Sequence, residues 1–163
     1  MSLSSEIKAQ LNQYLVNLKT SIVIDAFIDE SEASANMSEL LAELTEMTEK
    51  ISLNIHKDTD ERTPSFKINK PNESTGIQFA GIPLGHEFSS LVLAILQVGD
   101  HPLKISEDLI GQIKNIEGNF VFETFISLSC HNCPDVVQAL NILSLLNPNI
   151  SHCMIDGALF QDE

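Results

Sequence analysis

Two of the three cysteines in this 163-residue chain stand three positions apart, in Ser129-Cys130-His131-Asn132-Cys133-Pro134. In the first turn of a helix, residues at that spacing face one another. Their Cα atoms then fall within the roughly 4.4 to 6.8 Å that a disulfide spans, so the pair can open and close without moving the backbone. A cysteine at a helix N-terminus has its thiolate favoured by unpaired backbone N–H groups and the positive end of the helix dipole. The thiolate is the species that attacks a disulfide. The spacing therefore predicts a dithiol–disulfide exchange site at Cys130 and Cys133, with Pro134 tolerated because the first turn does not need all its donors. His131, the one neighbour able to carry a positive charge, either adds to the stabilisation of the Cys130 thiolate or is a solvated residue of the helix cap. The competing chemistry for Cys-x-x-Cys is half of a zinc site, completed by His152 and Cys153. Adjacent strand residues point to opposite faces, which argues against both reaching one metal and reads Cys153 as a small core residue. No metal ligand is assigned.

The elements that must hold this pair come from periodicity. Ile7, Leu11, Tyr14, Leu15 and Leu18 predict an opening amphipathic helix, and Ile22 to Ile28 a strand. Met37, Leu40, Leu41, Leu44 and Met47 form a helical stripe, and Ile51, Leu53 and Ile55 alternate as a strand. From Asn119 the order returns: Phe120 to Ile126 as a strand, Val136, Val137, Leu140, Leu143 and Leu146 as a helical stripe, and Ile150 to Ile155 as a strand. Overlaying Ile22 on Phe120, then allowing one residue of slip that sets Leu41 on Leu140 and Ile51 on Ile150, reads as a duplicated unit.

The first copy continues with strands at Pro64 to Ile68 and Gly76 to Ile82 and a helix from about His86 to Val98, apolar nearly all round from Leu91 to Leu96. That order is the plan of the thioredoxin fold, a mixed α/β sheet with helices on its faces. A helix around Ile105 to Ile116 joins the copies. The expected organisation is a first thioredoxin-like fold over residues 1–118 and the first half of a second over 119–163, truncated after strand-helix-strand and left with two exposed sheet edges. Where the cysteines map, the first copy offers Ser31, Glu32, Ala33, Ser34 and Ala35, so it has no redox chemistry and serves as a packing or docking platform. Thr63-Pro64 falls where such folds place a cis-proline, and a cis bond is expected there.

Composition sets bounds. Hydrophobic residues are 43% and charged residues 20% of the chain, enough for a packed core and a polar surface. Twenty-three acidic against nine basic side chains give a formal charge of −14, which repels phosphate backbones and anionic lipid and argues against nucleic-acid binding. No apolar run approaches the roughly 20 residues needed to span a bilayer, and the N-terminus shows no signal pattern. The expected compartment is the cytoplasm.

The residues Leu128-Ser129-Cys130-His131-Asn132-Cys133-Pro134-Asp135-Val136-Val137-Gln138-Ala139-Leu140-Asn141, with Phe79-Ala80-Gly81, Pro83-Leu84-Gly85-His86-Glu87-Phe88 and Ser90-Leu91-Val92-Leu93-Ala94, resemble a known family. It is the N-terminal region of the flavoprotein subunit of bacterial alkyl hydroperoxide reductase, a tandem of two thioredoxin-like folds of which only the second keeps its cysteines. The resemblance implies an electron route. NADH reduces FAD in a C-terminal module, a cysteine pair there reduces Cys130 and Cys133, and these reduce the disulfide of a two-cysteine peroxiredoxin, the peroxidase subunit of the alkyl hydroperoxide reductase system. It implies that Cys130 attacks and Cys133 resolves, that Glu87 is an acid near the pair suited to shuttling a proton, and that the full-length protein is a homodimer. Glu87 also has a plainer reading, as an acidic residue complementing a helix dipole. This chain lacks a Gly-x-Gly-x-x-Gly fingerprint and a second cysteine pair, so no FAD or NADH site is expected within it. The alternatives are a free-standing glutaredoxin-like or thioredoxin-like protein reduced by a small thiol, and a zinc-bound or partner-binding module without catalysis.

Overall fold

The computed structural model describes residues 3–163. Ser4 caps α1 (Ser5–Leu15) by accepting the Ile7 N–H on its hydroxyl, and Leu11 and Leu15 are buried along one face. Then follow β1 (Ile22–Phe27), α2 (Glu32–Met47), β2 (Ile51–His56), β3 (Ser65–Asn69) and β4 (Ile77–Ala80). A 3-10 turn at Gly85–Glu87 runs into α3 (Phe88–Val98), α4 (Glu107–Lys114) follows, and β5 (Phe120–Ile126), α5 (Cys133–Leu146) and β6 (Ile150–Asp156) complete the chain.

The six strands make one sheet in the order β2-β1-β3-β4-β6-β5. The repeat is visible in its register: Ile22 pairs with Ile51 in parallel in the first unit, and Phe120 with Ile150 in the second. β6 is bonded in parallel to β4, with Ile77 opposite His152 and Phe79 opposite Met154. This corrects the expectation of two exposed edges for the second unit, because only β5 remains an edge.

Alternation sets one face of the sheet inward. Ile22, Ile24, Phe66, Ile68, Ile77, Phe79 and Met154 are fully or almost fully buried there, with Phe66 stacked on Phe79. Each such side chain stabilises by about 1.5–3 kcal/mol relative to exposure. α2, α3 and α5 pack on this face. The other face presents Asp25, Asn54, Lys67, Asn69 and Gln78, half-buried to exposed, and a small cluster of Ala80, Cys153 and Ile155 beneath Phe160. Among the described residues no helix is long and apolar enough to cross a membrane.

α5 departs from its predicted stripe. It buries Pro134, Val137, Asn141 and Ser144, while Leu140, Leu143 and Leu146 are half-buried and Val136 is 49% exposed. The reason is its seat against α3 and β6. Ser144 Oγ donates to Thr75 O at 2.7 Å, and a Cβ on Gly76 (φ +76°) would stand 2.6 Å from that hydroxyl oxygen, so only glycine allows the approach.

Candidate redox site

β5 ends at Ile126, and a turn closed by Cys130 N donating to Ser127 O at 3.0 Å delivers the chain to the start of α5. There Cys130 and Cys133 are joined as a disulfide with Cα atoms 5.6 Å apart. Both are half-buried, and His131 and Asn132 between them are exposed. Asn132, the N-cap, makes no side-chain cap bond. Instead the Cys133 N–H donates to Cys130 Sγ at 3.2 Å, so the sulfur occupies the place of a capping oxygen. When the disulfide opens, that donor and the helix dipole act on the Cys130 thiolate. Pro134 sits in the first turn, where its missing N–H costs nothing.

The 3-10 turn packs against the cysteine loop. His86 N donates to Leu128 O at 3.0 Å, and a Cβ on Gly85 (φ +58°) would come within 2.9 Å of the same carbonyl oxygen. The rings of His86 and His131 meet edge to face with centroids 4.4 Å apart, a contact that sequence reasoning did not find, because the two residues are far apart in the chain. Glu87 follows directly. It is fully buried at the N-cap of α3, makes no cap hydrogen bond, and neither carboxylate oxygen has a hydrogen-bond partner. Burial raises its pKa, and the approach of the Ser90 hydroxyl and the charge of His86 pull it back only in part. An acid complementing a helix dipole from the surface would be solvated, which this one is not.

His152 and Cys153 point to opposite sides of β6. His152 turns inward, where Nδ1 meets Asn141 Oδ1 at 2.7 Å and Nε2 meets Thr124 Oγ1 at 2.8 Å, and burial lowers its pKa to about 4. Both ring nitrogens are engaged away from the disulfide. Cys153 is buried on the other face, its thiol pushed up to about 12 by burial. Among the described residues no three His, Cys, Asp or Glu side chains are grouped to hold a metal ion. The Thr63–Pro64 peptide is cis, as expected.

No protein-family model matches the sequence. The AhpF subunit of alkyl hydroperoxide reductase from Xanthomonas campestris pv. phaseoli is 53% identical over 161 residues, 99% of this chain and 30% of that protein. A protein of Ferdinandcohnia aciditolerans named NADH dehydrogenase is 55% identical over 163 residues, 100% of this chain and 31% of that protein. The chain thus spans about a third of the length of these relatives. Among solved structures, the N-terminal domain of the alkyl hydroperoxide reductase AhpF from Enterococcus faecalis superposes with a TM-score of 0.89 at 32% identity, covering 99% of this chain and 83% of that one. A protein disulfide oxidoreductase from Aeropyrum pernix shares the fold, with a TM-score of 0.85 at 20% identity over 99% of this chain and 78% of that one. A sheet built from two strand-helix-strand units, a disulfide at the second helix tip and this likeness over nearly the whole domain agree: the chain belongs to the family of thioredoxin-like N-terminal domains of the alkyl hydroperoxide reductase AhpF.

Proposed function

We propose that this chain is a thiol–disulfide exchange domain that carries electron pairs from a reductase module to the disulfide of a two-cysteine peroxiredoxin. The observation that carries the reading is the half-exposed Cys130–Cys133 disulfide at the tip of α5, with a backbone donor on Cys130 Sγ.

In the reduced state the Cys130 thiolate attacks one sulfur of the partner's disulfide, forming a mixed disulfide and releasing the partner's other sulfur as a thiolate. Cys133 then loses its proton to a base and attacks Cys130 Sγ. The Cys130–Cys133 bond forms, the mixed disulfide breaks, and the second partner sulfur leaves as a thiolate. The chain is oxidised by two electrons and the partner is reduced by two, with protons restoring the partner's thiols. Glu87 is the base in this reading, since a buried carboxyl with raised pKa beside the loop is suited to take and return one proton. The reverse sequence, driven by another dithiol, reloads Cys130 and Cys133.

The chain's seven glycines include no Gly-x-Gly-x-x-Gly, so FAD and NADH chemistry belongs in this reading to the rest of the longer protein, a cytoplasmic homodimer. Residues 1–118 form the inert unit and 119–163 the part of the second unit that carries the pair. The test is to mix the reduced chain with an oxidised two-cysteine peroxiredoxin and count thiols. Two thiols should appear on the peroxiredoxin for each Cys130–Cys133 disulfide formed. Undiminished transfer by Cys130→Ser would reject the assignment, and reduction of the pair by glutathione at a competitive rate would favour a free-standing carrier.

A further inference from the structure

Cys130 and Cys133 stand in a chain of formal charge −14, whose field opposes a thiolate. Over residues 81–90 and 126–138, which build the corner around the pair, the side chains able to carry positive charge are His86 and His131. Their rings meet edge to face, with centroids 4.4 Å and planes 61° apart, although both residues are exposed. The backbone that presents them is pinned: His86 N donates to Leu128 O and Cys130 N to Ser127 O, each at 3.0 Å. Neither bond uses a sulfur atom. A lone exposed imidazole would sample several rotamers, and a second ring against it narrows that choice. Edge-to-face contact sets the positive rim of one ring on the negative face of the other, so it favours one imidazolium beside a neutral partner and opposes two. In the first unit, where Ser31 and Ser34 take the places of the cysteines, Glu32 takes the place of His131.

We propose that His86 is a positioning residue for His131, and that the two rings together hold one positive charge at the mouth of the exchange site, where it favours the Cys130 thiolate. This role rests on the reading of Cys130 as the attacking sulfur. The turn that bears His86 packs against α3 and α5. α3 carries no titratable side chain, and α5 carries Cys133 and the exposed Asp135. The turn itself adds the buried Glu87, and the loop adds Cys130. Glu87 is thus the one group besides His131 through which His86 could act on the pair, and the test has to separate the two.

The test is the titration of the Cys130 thiolate by its ultraviolet absorbance in the Cys133→Ser chain, from about pH 4 to 9, compared across further variants. Cys153, pushed up to about 12 by burial, stays a thiol over that range. His131→Phe should raise the thiolate midpoint by about half a pH unit. His86→Ala should move it less in the same direction, and His86→Phe, which keeps a ring against His131, should restore it. In the His131→Phe background His86→Ala should have no further effect, whereas in the Glu87→Gln background its effect should persist. A His86→Ala shift that survives His131→Phe, or one that vanishes with Glu87→Gln, overturns the positioning role, as does a midpoint that neither histidine variant moves. The reading of Cys130 is tested apart from this, by exchange with a small aromatic disulfide: if the Cys130→Ser chain reacts undiminished, that reading fails and the role of the histidines with it.

Discussion

The junction of β1 with α2 and the junction of β5 with α5 are the same turn built twice, with opposite outcomes. In the second, Cys133 N donates to Cys130 Sγ at 3.2 Å, and in the first, Ser34 N donates to Ser31 Oγ at 3.2 Å. Oxygen replaces sulfur at both positions with the backbone bond intact. What surrounds the pair differs. Asp29, two residues before Ser31, accepts from the Ser31 N–H and hydroxyl, from Ser34 Oγ at 2.7 Å and from Thr63 Oγ1 at 2.9 Å. These donors, the Ser31 hydroxyl foremost, hold its carboxyl below the usual range. Two residues before Cys130 stands Leu128, half-buried and apolar. A carboxylate there would oppose a thiolate, and the unit that keeps sulfur carries leucine at that position.

The units differ again beneath the helix. His152 with Thr124 and Asn141 forms a hydrogen-bonded group between β6, β5 and α5, while the register places Leu53 and Ala26 at the positions of His152 and Thr124 in the first unit. The first unit is apolar where the second is polar.

The largest effect comes from making the second junction resemble the first. Replacing Cys130 and Cys133 together by serine should abolish exchange with any disulfide substrate while leaving the fold intact by circular dichroism. His152→Leu, matching Leu53, should act on stability. The histidine is neutral in the fold and titrates there at about 4, below the unfolded value of about 6.5. Its contribution is present above about pH 6.5 and is lost as pH falls towards 4, by roughly 3 kcal/mol in total. Chemical denaturation at several pH values should show that component in the parent chain and not in His152→Leu.

Placing the Asp29 carboxylate in the second junction, as Leu128→Asp, should disfavour the Cys130 thiolate and slow exchange at neutral pH by roughly threefold. Leu128→Asn should retain most of the rate, which separates charge from packing. The smallest effect is expected from Ser31→Ala. It should cost about 1 kcal/mol through the lost helix cap, read as a lower melting temperature, with the exchange rate unchanged.

Much of this comparison was legible in the sequence. Alternation gave β2, a β-branched and aromatic run gave β1, the repeated order gave β5 and β6, and helical spacing gave α2. The duplicated order matched Ile22 to Phe120 and Ile51 to Ile150, positions that stand at equivalent registers in the sheet. Cys130, Cys133 and the cis bond before Pro64 followed from local spacing or from the position of Pro64 in the repeat. What escaped were contacts between distant segments. Pairing of β4 with β6 leaves no mark on either strand's periodicity, since both read as buried strands whatever their neighbour. The group of His152, Thr124 and Asn141 did leave a signal, because His152 and Thr124 fall on the inward alternation of their strands, where apolar residues are the rule. The apolar stripe on α5 misled because it predicted burial at Val136 and Leu140, whereas the helix seats Val137, Asn141 and Ser144.

The most direct measurement of the central claim is to trap the intermediate. Cys133→Ser, reduced and mixed with an oxidised two-cysteine peroxiredoxin, should accumulate a covalent complex whose mass and peptide map place the link at Cys130 Sγ. A complex linked through Cys153, or none at all while the partner's thiols still appear, would contradict the account.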